Sequence, residues 1–189
     1  MAGRMRNATK YNSKTIDTVF MFLLGAFMLI IPFYRGLFFR KEYIPSIIFT
    51  SVICAIFAAL KIRDKSYRFA GTYLDISVLL ILGSYLFSFF FAVNTKDALD
   101  AFLLYCSYFM VYKLVSNLSG DNERYKNIFI NLIIASAFIL SITAMLNIAG
   151  IIDLKGVIVE KRLFGLYQYS NTSASVLGVG IILALNMLI

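Results

Sequence analysis

Long apolar runs, almost free of charge, recur along this chain, and nothing else in it limits the fold so tightly. They lie at roughly 16–34, 44–60, 73–93, 97–117, 128–149 and 170–189. A run of about 18 residues or more can cross the ~30 Å of hydrocarbon in a bilayer. Within hydrocarbon the backbone N–H and C=O groups must pair inside the protein, so helix is the default for each run. The strict apolar–polar alternation of barrel strands is absent. Sixty per cent of the 189 residues are hydrophobic and only 15% are charged, against roughly half and a quarter in soluble domains. The sequence therefore predicts an all-α, polytopic transmembrane helix bundle of about six spans. It reads as a single transmembrane domain over 1–189, with no internal repeat.

The net charge of +8 belongs to this membrane setting and not to nucleic acid. Lys and Arg of membrane proteins gather in cytoplasmic loops and contact anionic lipid. With the N-terminus cytoplasmic, the inner side receives Arg4, Arg6, Lys10 and Lys14, the cluster Lys61, Arg63, Lys65 and Arg68, and also Lys113, Arg124 and Lys126. The outer side receives fewer: Arg35, Arg40, Lys41, Lys96, Lys155, Lys161 and Arg162. This imbalance sets the predicted orientation and places 151–169 outside. The 61–70 cluster reads as a topology anchor beside anionic lipid. The first run is too long for the apolar core of a signal peptide, and Pro32, Tyr34 and Arg35 follow it instead of a cleavage site, so it is expected to stay as an uncleaved span.

The sequence has no histidine, which removes the commonest general base and metal ligand. Cys54 and Cys106 fall in mid-run and read as small packing residues. Asp17, Asp75, Asp97, Asp100 and Lys113 lie near run ends, where each is expected to reach the membrane interface. Mid-membrane ionisable residues would point to an ion relay, and their scarcity argues against an ion-coupled antiporter. Tyr105, Tyr108 and Tyr112 share a helical face; they could line a polar cavity, but packing is the simpler expectation. Ser136, Ser141, Thr143 and Asn147 read the same way. Ala174 and Gly178 predict close helix contact in the sixth run. Residues 113–127 read as a solvated connector.

The chemistry is sought in 160–175, EKRLFGLYQYSNTSAS. Ser170 or Asn171 can cap the sixth helix by accepting from a free backbone N–H. That helix end carries partial positive charge and donors suited to phosphate. Lys161 and Arg162 precede it, and the guanidinium fork matches phosphate oxygens. The plain alternative is an ordinary cap beside two interfacial cations.

The stretch Arg162-Leu163-Phe164-Gly165-Leu166-Tyr167-Gln168-Tyr169-Ser170-Asn171 resembles the O-antigen ligase and polymerase superfamily, whose members place an Arg, a Gly, an aromatic stretch and an Asn at the start of a span. Residues 82–111 resemble that family's Ser-bearing helix end, short outer turn and next helix. The resemblance implies a membrane glycosyltransferase in the bacterial cytoplasmic membrane, acting in cell-envelope polysaccharide biosynthesis. Such a protein transfers or polymerises glycan from an undecaprenyl pyrophosphate carrier at the outer face, with no metal and no nucleotide sugar. Lys161, Arg162, Gly165, Ser170 and Asn171 are then the expected binding residues for the carrier-linked glycan, with membrane lipid the other partner. This chain has Tyr169-Ser170 where the family often has Asn-Pro, and it lacks the His-bearing outer loop of the ligases. The expectation is accordingly the N-terminal half of a longer protein, holding the carrier-binding part and inactive by itself. A six-span substrate-capture subunit of a vitamin transporter is the alternative, which fits the length but not the Arg–Gly–Asn pattern.

Overall fold

The computed structural model describes residues 2–37, 39–69, 71–120, 122–154, 156–159, 162–167 and 169–188, and side chains from residue 14 onward except those of 158, 159, 162 and 163. Six helices dominate: α1 (Ala2–Ile30), α2 (Arg40–Arg63), α3 (Tyr73–Phe89), α4 (Thr95–Ser119), α5 (Glu123–Ile148) and α6 (Ser170–Leu188). A short antiparallel ribbon, β1 (Ile158–Val159) and β2 (Arg162–Leu163), sits in the connection between α5 and α6 and pairs Ile158 with Leu163 and Val159 with Arg162. The protein is thus an all-α, multi-pass membrane protein. Among the described residues, five stretches are long and apolar enough to cross a bilayer: 14–37, α2, α4, α5 and α6. The third, α3, is shorter, at 17 residues.

Each helix stops and starts where the sequence allows. Thr72 caps α3 through a reciprocal box, its hydroxyl accepting from the Asp75 N–H while the Asp75 carboxylate accepts from the Thr72 N–H. Such a box satisfies two otherwise orphaned donors. Asn94 caps α4 and Asn122 caps α5. Helix α4 runs on to Ser119, so the connector expected over 113–127 shrinks to a turn beginning at Gly120, whose φ of 38° ends the helix.

The chain packs as two compact units. The first combines residues 1–20 with 43–121. Here α3 lies along α4, and Phe20 meets Phe57 edge to face at 5.1 Å. Thr50 of α2 and Ser107 of α4 share a hydrogen bond of 3.1 Å, a polar link of the kind that joins helices in lipid. Tyr85 stacks on Tyr105, which meets Tyr108 edge to face. This is the packing role expected for the tyrosine stripe.

The second unit combines residues 21–42 with 122–189. Gly25 of α1 approaches Leu132 of α5. Helices α5 and α6 meet along Ala137, Leu140 and Ala144 on one side and Ser173 and Gly180 on the other, all buried. The close approach is therefore at Gly180, where an added Cβ would strike the Ala137 Cβ, and not at Gly178, which has open space around its Cα. Ala174 is exposed. The helix is rotated so that residues seven apart, 173 and 180, face α5. Replacing Gly180 with Val should therefore force α5 and α6 apart and cost about 1–3 kcal/mol, the usual range for overpacking. The same change at Gly178 should be nearly silent. Denaturant titration of both variants in mixed micelles separates the two positions.

Candidate functional site

The expected site lies in the second unit, where the chain between α5 and α6 is folded down onto both helices. Asn147 begins it by donating to the carbonyls of Ile152 (3.1 Å) and Leu154 (3.3 Å), which holds the exit from α5. The chain returns through the ribbon, and β1 touches α5 while β2 touches α6. The carbonyl of Val157, itself buried, accepts from both the Phe164 N–H (2.8 Å) and the Gly165 N–H (3.0 Å).

Gly165 makes the turn that follows. Its φ is +64°, a left-handed conformation that costs other residues about 1–2 kcal/mol. It is also wedged: a Cβ there would lie 2.7 Å from the Ser173 Oγ and 2.8 Å from a Leu140 methyl. The Ser173 hydroxyl donates to the Phe164 carbonyl, so the first turn of α6 is tied to the turn before it. Tyr167 is buried, and a Cβ at Gly36 would strike its ring. Burial pushes the Tyr167 phenol above its ordinary pKa, with a Ser136 hydrogen bond acting in the opposite direction.

Of the five expected binding residues, Lys161 lies outside the described residues. Arg162 is placed by its backbone in β2. Gly165 forms the wedged turn. Ser170 is the first residue of α6 and Asn171 is exposed in its first turn. The helix starts slightly earlier than a Ser170 or Asn171 cap would put it, since the Tyr169 carbonyl already accepts from the Ser173 N–H at 3.1 Å. The four described residues thus share one anchored segment at the N-terminal end of α6.

The first unit holds a second polar centre that sequence reasoning missed. Asp75 and Lys113 were expected to reach the interface. Instead both are buried, at 3% and 2% exposure, and the Lys113 Nζ lies 2.8 Å from the Asp75 Oδ1. The Tyr112 hydroxyl donates to the same oxygen at 2.9 Å. The other carboxylate oxygen accepts from the N–H groups of Gly71 and Thr72 and from the Thr72 hydroxyl. One turn on, Asn117 accepts from the Arg68 N–H and donates to the Arg68 carbonyl. A second pair, Asp17 and Lys61, also lies mostly buried, with 2.6 Å between Oδ1 and Nζ. Each pair joins an Asp near the start of one apolar stretch to a Lys near the end of another helix, and Asp75 in the first turn of α3 and Lys61 in the last turn of α2 also suit their helix dipoles. The only hint in the sequence is that each Asp lies at the start of one apolar run and its Lys at the end of the next, a pairing that becomes visible once the helices are antiparallel.

Comparison of the chain with protein-family models, with curated proteins and with solved structures gave no match.

Proposed function

We propose that this protein binds a polyprenyl-diphosphate-linked glycan through Arg162 and the start of α6, as an O-antigen ligase-like protein of cell-envelope polysaccharide biosynthesis. In this reading it lies in the bacterial cytoplasmic membrane with its N-terminus cytoplasmic, and 151–169 faces outward. The observation that supports the reading is the anchoring of the Arg162–Asn171 segment: the wedged Gly165 turn and the Ser173–Phe164 bond hold residue 162 and the first turn of α6 on one short piece of chain. A diphosphate needs converging positive charge. The guanidinium of Arg162 supplies a planar fork, and the exposed N-terminal turn of α6 supplies oriented N–H donors.

Glycan transfer from such a carrier breaks the bond between the sugar and the diphosphate. Negative charge develops on the departing diphosphate, and preorganised cations there lower the barrier. The carrier itself brings the activated sugar, so this role of the protein is binding, orientation and charge stabilisation.

In proteoliposomes, Arg162→Ala should weaken binding of undecaprenyl diphosphate by about 10- to 100-fold, from the ~1.5–3 kcal/mol of a hydrogen bond to a charged group. Membrane insertion should be unchanged. Unaltered affinity in that variant would remove Arg162 from the site. Labelling of a cysteine at position 162 from the cytoplasmic side alone would end the reading.

A further inference from the structure

We propose that the bend after α1 is a second phosphate-binding arm of the same site, with Arg35 as its cation. The inference rests on the diphosphate reading for the identity of the ligand, and the bend itself is described independently of it. After the short 3-10 turn that begins at Ile31, the backbone leaves helical geometry at Tyr34 (φ −99°, ψ 43°), Arg35 (51°, 29°) and Gly36 (65°, 20°), and Leu37 follows at φ 61°. Glycine takes left-handed conformations freely, but Arg and Leu rarely do. A plain reversal of direction needs no arginine at such a position. Strained residues persist where their surroundings hold them, and they concentrate at ligand clamps.

The bend is docked against the candidate site. Gly36 sits so close to the Tyr167 ring that no side chain fits there. Tyr167 is five residues beyond Arg162 and three before Ser170. The two connections, one after α1 and one after α5, therefore meet at one end of the second unit, and Arg35 is the residue next to the contact.

The state of the Arg35 side chain suits a ligand. It is about half exposed, its Nε is 3.9 Å from a Glu42 carboxylate oxygen, and its guanidinium lies over the Phe39 ring at 5.4 Å. These contacts aim the fork while leaving donors available to an incoming anion, and Arg binds phosphate with paired donors. The ligand chemistry is a phosphate or diphosphate group, borne either by a prenyl carrier or by an ordinary anionic lipid.

The test uses the full chain in mixed micelles, with geranylgeranyl diphosphate, inorganic pyrophosphate and phosphatidylglycerol nanodiscs as separate probes, read by calorimetry. Arg35→Ala and Arg35→Gly should each weaken binding of the prenyl diphosphate about tenfold or more. Arg35→Gly should hold or raise the melting temperature, because glycine relieves the left-handed strain. Loss of both affinity and melting temperature in Arg35→Gly would make Arg35 a structural residue and overturn the proposal, as would a dissociation constant within about twofold of the parent in Arg35→Ala. No binding of any phosphate probe by the parent protein would overturn it too. Arg162→Ala run in parallel keeps the two claims apart. If only Arg35 variants lose affinity, the arm stands and the Arg162 reading fails; if only Arg162→Ala does, the reverse holds. Equal binding of phosphatidylglycerol would support the arm while assigning it to bulk lipid and not to a glycan carrier.

Discussion

Replacing Lys113 with Met is expected to destabilise the first unit by about 3 kcal/mol, the low end for breaking a buried ion pair. The Asp75 carboxylate would lose its counterion while remaining under cover, still accepting from Tyr112, Thr72 and Gly71. The low end applies because Asp75, in the first turn of α3, keeps its other hydrogen-bond donors when the ammonium is removed. Asp75→Asn should cost a similar amount, because an ammonium would then be left without its acid. The informative variant carries both changes. If the pair is the dominant feature, the double variant should be milder than the sum by more than ~1 kcal/mol, as expected for residues in direct contact. Strict additivity in a denaturant titration would mean that Asp75 acts mainly as the cap of α3, and the ion pair would be secondary.

Gly165→Ala carries the second large effect, up to about 2–5 kcal/mol from two sources. Left-handed backbone costs a residue with a Cβ about 1–2 kcal/mol. Overpacking against Leu140 and Ser173 adds about 1–3 kcal/mol if neither yields fully. The chain can avoid much of this by releasing the turn from α6 altogether. The expected outcome is therefore local: faster cleavage by trypsin at Lys161 or Arg162 in proteoliposomes, with the α5–α6 contact at Gly180 retained. Diphosphate affinity should fall with the release. Unchanged cleavage and an unchanged melting temperature would show that the turn has more room than its neighbours imply.

The helices were legible because hydropathy is a one-dimensional property. All six apolar runs lie within or largely within helices, and the caps at Thr72, Asn94 and Asn122 use residue types that favour that position. What joins the helices was much less legible. Asp75 and Lys113 are 38 residues apart, and a charge near the end of a run reads equally well as solvated or paired until its neighbour is known. The small residues of α6 illustrate the same difficulty. Ala174 and Gly178 have the right spacing for contact, but rotation of the helix about its own axis turned Ser173 and Gly180 towards α5. The Arg162–Asn171 segment was found as a motif, and its anchoring through Ser173 and Leu140 was not. Least visible was the bend at 34–37, since nothing about Tyr-Arg-Gly-Leu announces three consecutive left-handed residues.

The touch between Gly36 and Tyr167 also bears on a matter of parity. Two connections can share one side of a bilayer only if an even number of passages separates them. If α2, α4 and α5 each cross, α3 has to be the fourth passage, although its 17 residues rise only about 25 Å. That is several ångströms less than ~30 Å of hydrocarbon. Lipid alongside α3 must then dimple to meet it, making this flank of the protein the thinnest part of its annulus.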